Sequence, residues 1–142
     1  MGPYVHFRLT LDWAREAGFS LEEAEMIGNA DVRVDSDFPA RRSLATLSRH
    51  FAPTAWAWGL MYYRKAIKTC DLEALGRALH CLQDVYAHGW LGLAHVRFDL
   101  GIGRDPDDWE MAPGWERRRI EQVSRRVLSA YLRHCTGGVV SR

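Results

Sequence analysis

His80, Asp84 and His88 follow one another at intervals of four residues, and His95 and Asp99 repeat that interval shortly afterwards. Residues four apart are neighbours on one helix face. At about 100° per residue, Asp84 lies about 40° and His88 about 80° round from His80, so all three project into one sector. Imidazole and carboxylate together suit zinc and similar divalent metals. Leu75, Leu79, Leu82 and Tyr86 form the adjoining apolar stripe. The polar sector therefore borders the core, where charge is costly unless it is paired or bound to a metal. One His–Asp pair at this spacing is commonly a surface pair; the tandem arrangement favours a metal site. Hydrolysis at such a site needs a coordination position left open for water. Two metals roughly 3.5–4 Å apart can share a carboxylate, and Asp84, flanked by histidines, is placed to bridge.

The elements that must position these residues read as helices throughout. A first helix is expected over about Tyr4 to Ala17, closed by Gly18. Ser20-Leu21-Glu22-Glu23 is a capping box that opens a helix to about Ala30. Asp31 to Ala40, with three aspartates and Pro39, reads as a loop. Arg42 to Phe51 reads as a short helix, Pro53 to Thr69 as a longer one, and Asp71 as the cap of a helix from Leu72 to His88 that Gly89 stops. Leu91 to Leu100 predicts another turn or two of helix, Gly101 to Gly114 a loop, and Trp115 to Cys135 the last helix. No alternating pattern is long enough to demand a sheet. The expected fold is all-α, a compact multi-helix bundle with a metal cluster at the edge of its core. The 142 residues fit a single metal-binding helical domain spanning 1–142.

The remaining chemistry narrows the function classes. There are 19 basic against 18 acidic residues, so no strong attraction to polyanions is expected. The basic runs Arg117-Arg118-Arg119 and Arg125-Arg126 read as a solvated helix face rather than a nucleic-acid contact. Cys70, Cys81 and Cys135 show no C-x-x-C spacing, and their odd count argues against a disulfide-stapled scaffold; Cys81 reads as apolar packing. No apolar run reaches membrane-spanning length. The N-terminal residues lack the pattern of a signal peptide, so the expected location is the cytoplasm. Trp56, Trp58, Tyr62 and Tyr63 read as a core stripe. Trp90, in a turn beside the histidines, is a candidate pocket wall or solvent shield, and Arg97 a candidate for neutralising a phosphate.

The motif Ala-Leu-His80-x-x-x-Asp84, a following His88, and His95-x-x-x-Asp99 resemble the zinc-dependent phospholipase C / single-strand nuclease superfamily, all-helical proteins with a zinc cluster. Asp35 and His50 resemble the family's earlier Asp and His ligands, and His6 its N-terminal-helix histidine. The resemblance thus runs from His6 to Asp99, with Asp99 where the family has Glu. It implies one metal held by Asp35, His50, His80 and Asp84, and a second held by His88, His95 and Asp99. It also implies a third held by His6 and sharing Asp84, for which Asn29 or Asp31 are further candidates. Two or three Zn2+ ions are therefore expected, and other divalent metals suit the same ligands. Asp35 is expected to orient the attacking water as catalytic base.

The expected function is a metal-dependent hydrolase acting on a phosphoester or phosphodiester through metal-activated water, with a small-molecule or phosphoester substrate. One alternative keeps the fold and metals but performs a Lewis-acid cyclisation, elimination or amide hydrolysis on a specialised metabolite. Another is a non-enzymatic, metal-stabilised binding module. So short a chain also leaves room for a homo-oligomer that covers the site.

Overall fold

Ser20 and Gly18 together make the first turn of the chain. Gly18 closes the first helix in the left-handed conformation, φ 114°. The Ser20 hydroxyl then accepts from Glu23 N at 3.2 Å, while the Glu23 carboxylate accepts from Ser20 N at 2.8 Å, the reciprocal cap expected of this sequence. The computed structural model describes residues 2–39 and 48–137. A π-helical segment, Tyr4–Leu9, runs directly into α1 (Thr10–Ala17); α2 (Leu21–Asp37), α3 (Thr54–Thr69), α4 (Leu72–His88), α5 (Leu93–Asp99) and α6 (Gly114–Cys135) follow. The fold is all-α. Among the described residues the one β contact is an isolated bridge between Ala52 and Trp90. No described helix is long and apolar enough to cross a membrane.

The central element is α4. Asp71 caps it, its carboxylate accepting from Ala74 N at 3.0 Å, and Gly89 ends it with φ 65°. Leu75, Leu79 and Leu82 are buried among α2, α3 and α6, joined in the core by Val5, Phe19, Ile27 and Leu128. Two glycines set the spacing. A Cβ on Gly76 would lie 2.3 Å from the Ile27 carbonyl oxygen and 2.9 Å from Asp31 N, so α2 and α4 touch backbone to backbone there. A Cβ on Gly59 would lie 2.8 Å from Leu82 Cγ, so α3 also packs closely against α4, there against a side chain.

Several expectations are corrected. The helix expected to end near Ala30 continues to Asp37, because Asp31 and Val34 are buried and the stretch read as a loop carries a packed face. The helix expected over Arg42 to Phe51 falls largely on residues 40–47, outside the described residues; positions 48–50 form a turn. Trp56 is 54 % exposed, and the buried face of α3 is Ala55, Gly59 and Ala66, since only small residues fit so close to α4. Cys70 and Cys135, 65 residues apart in sequence, are joined as a disulfide that ties the end of α3 to the end of α6. Cys81 is free and buried.

Candidate metal centre

Four segments bring their side chains to one place. His80, Asp84 and His88 lie on the inward face of α4, all buried. Asp31 and Asp35 come from consecutive turns of α2, and His6 from the π-helical segment, where it is fully buried. His50 arrives on the turn before α3. That turn is clamped by Arg49, whose guanidinium lies over the Phe38 ring at 3.7 Å and the Trp58 ring at 4.0 Å, and by Trp58 Nε1, which donates to Ser48 Oγ at 3.0 Å.

The His6 and His80 rings are stacked, 4.1 Å between centroids and 28° between planes, and share one orientation. On one side, Asp31 Oδ1 lies 2.9 Å from His6 Nδ1 and 3.4 Å from His80 Nδ1. On the other, Asp84 Oδ1 lies 3.2 Å from His6 Nε2 and Asp84 Oδ2 3.2 Å from His80 Nε2, with Asp35 Oδ1 3.6 Å from His80 Nε2. Asp31 thus stands behind the rings and Asp35 and Asp84 in front of them. His6, Asp35, His80 and Asp84 each offer a ligand atom within 4.8 Å of the others. His50 Nδ1 adjoins this group, 3.0 Å from Asp84 Oδ2 and 3.1 Å from His80 Nε2. Its Nε2–H donates to the Phe38 carbonyl at 2.7 Å, which leaves Nδ1 for the cluster.

A second grouping lies further along α4. His88, His95 and Asp107 also offer ligand atoms within 4.8 Å of one another. His88 Nδ1–H donates to the His50 carbonyl at 3.2 Å, and its Nε2 lies 2.9 Å from Asp107 Oδ1. The Phe51 ring meets both imidazoles edge-on, 5.5 Å from His88 and 5.7 Å from His95. Asp84 Oδ2 is 3.7 Å from His88 Nδ1, so Asp84 faces histidines of both groups.

The expected ligands are therefore redistributed. His6 sits with Asp35, His80 and Asp84 rather than apart from them, and His50 lies at their edge. Asp99 is exposed at the end of α5 and belongs to neither grouping. Asp107, from the loop after α5, takes the place expected for it. Sequence reasoning missed Asp107 because a loop has no period. The only local signal is Asp105, whose carboxylate accepts from Asp107 N at 2.9 Å in the manner of an Asx turn.

The electrostatics follow from this geometry. Burial pulls the His6 pKa down, but Asp31 and Asp84 outweigh it and push the value up to about 10. Burial and the charge on His6 pull His80 down, and Asp84 and Asp31 raise it on balance. Burial opposes ionisation of Asp84, yet His88, His80 and His6 hold its pKa well below the usual carboxylate range. Asp107 is lowered likewise, its burial outweighed by the His88 hydrogen bond. At His95 burial, followed by the charge of His88, lowers the pKa. Burial pushes the Cys81 thiol up, in keeping with apolar packing.

Two results are expected. Without metal, His6 is an imidazolium whose folded-state pKa lies above the ordinary 6.5. Its contribution to stability is complete below pH 6.5 and is lost as pH rises through about 10. Zinc must displace that proton, so zinc affinity rises with pH over the same window, and uptake near neutral pH releases about one proton from this residue. Titrating zinc into weakly buffered protein with a pH indicator measures the release. In the second grouping, Asp107→Asn lowers zinc affinity by at least about tenfold, while Asp99→Asn leaves it within about twofold; competition with a chromophoric chelator reads both.

Comparison with family models, curated proteins and solved structures gives no match to this chain.

Proposed function

We propose that this chain is a metal-dependent hydrolase, with zinc its metal and a small phosphoester or phosphodiester its substrate. The observation that carries the reading is the convergence of His6, Asp35, His80 and Asp84, all but Asp35 buried, on one point. The residues fit a metal. His6 Nε2 is fully buried and makes no well-aligned hydrogen bond, although Asp84 Oδ1 lies 3.2 Å from it; a coordinate bond to a metal would satisfy it. A nitrogen and carboxylate-oxygen set is the chemistry zinc takes. The order of the histidines and aspartates, similar to that of the zinc-dependent phospholipase C / single-strand nuclease superfamily, supports the same reading.

Bound there, a divalent ion supplies Lewis acidity, polarising a phosphoryl oxygen and making water more acidic. The chain's own residues divide the other tasks. Asp84 is sealed from solvent and serves the histidines. Asp35 has a side chain 42 % exposed and lies 3.7 Å from His50 Nδ1, so it can reach both the cluster and water; it is the proposed base that takes the proton of the attacking water. Beside His88 opens a cleft of about 370 Å³ lined by Tyr86, Arg97, Arg104 and Trp115. Its size is that of small-molecule sites, and its arginines carry the charge that receives a phosphate. The buried Glu116 pairs with Arg104, which leaves exposed Arg97 for the substrate.

The test is turnover of bis-(p-nitrophenyl) phosphate by zinc-loaded protein. Wild type is expected to turn over, and His80→Ala and Asp35→Asn to lose at least about 100-fold in kcat/KM. Zinc content of both variants, measured in parallel, separates loss of the metal from loss of the base, since Asp35 is itself one of the converging ligands. Zinc-loaded protein inert toward phosphomonoesters and phosphodiesters alike would overturn the hydrolase reading.

A further inference from the structure

Gln83 is uncharged, fully buried and one residue away from the metal-facing stripe of α4. All its polar atoms are nevertheless engaged. Its Oε1 lies 2.9 Å from His6 Nδ1, and its Nε2 donates to Thr10 Oγ1 at 2.9 Å and to Ser124 Oγ at 3.1 Å. Both hydroxyls have committed their single hydrogens elsewhere: Thr10 to Asp31 Oδ2 at 2.8 Å, Ser124 to the Ile120 carbonyl at 2.8 Å. Their oxygens can therefore only accept from Gln83, and the amide must turn its nitrogen toward them and its oxygen toward His6.

The flipped amide fails on two counts. It would set Oε1 against two oxygens, and it would draw the Thr10 proton away from Asp31 Oδ2, leaving a buried carboxylate oxygen short of a donor. It would also require a bare Nδ1 on His6, only 2.9 Å from Asp31 Oδ1, lone pair against carboxylate. Both arguments put the proton on His6 Nδ1.

The geometry points to Gln83 as the positioning residue that, held by Thr10 and Ser124, fixes His6 with its proton on Nδ1 and presents Nε2 as the ligand atom. This rests on the metal reading proposed above. A histidine that ligates through one nitrogen is oriented by what accepts from the other; here a neutral amide oxygen does so together with Asp31. Ser124 extends the arrangement to α6, so the last helix of the chain sets the angle of a side chain near its start.

The test is long-range 1H–15N correlation on histidine-labelled, zinc-loaded protein, with zinc affinity measured in parallel. In wild type His6 should show a protonated Nδ1 and a metal-shifted Nε2. Gln83→Leu, similar in size but unable to accept, should weaken zinc binding about 10- to 100-fold and broaden or reverse the His6 pattern. Gln83→Glu, which restores an acceptor, should recover the wild-type tautomer. Ser124→Ala removes one clamp at little volume cost and should give a smaller loss in the same direction. A wild-type His6 protonated at Nε2 in the zinc-loaded protein overturns the proposal without any variant. Zinc affinity unchanged within about twofold in Gln83→Leu overturns it as well. In both cases zinc is bound and the metal reading stands; a wild type that takes up no zinc overturns both together.

Discussion

Asp84→Asn is expected to abolish the metal centre and to cost the metal-free protein about 3–5 kcal/mol, the penalty for breaking a buried ion pair by removing one partner. Asp84 is fully buried and faces His6, His50, His80 and His88 at 3.2, 3.0, 3.2 and 3.7 Å. The amide keeps the volume and loses the charge. His6, an imidazolium in the metal-free protein, then keeps Asp31 as the carboxylate beside it. Zinc affinity should fall by more than about 100-fold, beyond the loss seen when an orienting partner is removed. The pH dependence identifies the cause. The folded-state pKa of Asp84 lies below its ordinary 3.8, so its stabilisation is full above that value and disappears as pH falls through the folded-state value. Wild-type and variant melting temperatures should therefore differ most near neutral pH and converge in acid. Equal melting temperatures at pH 7 would show that the cluster is not held by this charge.

Gly76→Ala is the second large effect, and it acts on geometry alone. Alanine is the better helix former by about 1 kcal/mol, so an unobstructed site would be stabilised. Here the new methyl would lie 2.3 Å from the Ile27 carbonyl oxygen and 2.9 Å from Asp31 N, backbone atoms that can yield only if α2 moves as a body. Overpacking of this kind costs about 3 kcal/mol, so a net loss of about 2 kcal/mol remains after the propensity gain. The displacement carries Asp31 and Asp35 away from His80, so zinc affinity should fall together with stability. Gly101→Ala is a control outside the contact, since a Cβ there meets no atom within 4 Å. Its positive φ of 69° costs about 1 kcal/mol, with no effect on zinc. Chemical denaturation and chelator competition on both variants separate the two outcomes.

The part of the site that lies on α4 was legible because a helix repeats. Four-residue spacing put His80, Asp84 and His88 on one face, and the adjoining leucines said that this face borders the core. The caps at Ser20 and Asp71 and the stop at Gly89 marked helix ends for the same local reason. Asp31 was harder to read. Three aspartates and a proline within ten residues look like a solvated turn, and only the approach of Thr10 and His6 from elsewhere in the chain turns that stretch into a buried helix face. Asp107 was out of reach because the closure of a loop, not a period, brings it to His88. Trp56 was misread because residue type suggests burial, whereas the close approach at Gly59 admits only small side chains. The Cys70–Cys135 pairing depends on where α3 and α6 end in space, which spacing along the chain does not encode.

The central claim is that the histidines and aspartates gathered round Asp84 hold metal. Its most direct test is elemental analysis of protein loaded with zinc, freed of loosely bound ions by gel filtration, with Asp84→Asn treated alongside. The account predicts about one zinc ion per chain or more in the wild type, since a buried set of nitrogen and carboxylate ligands retains zinc through such a step, and almost none in the variant. A wild type that emerges with zinc well below one ion per chain, or a variant that retains as much as the wild type, would contradict it.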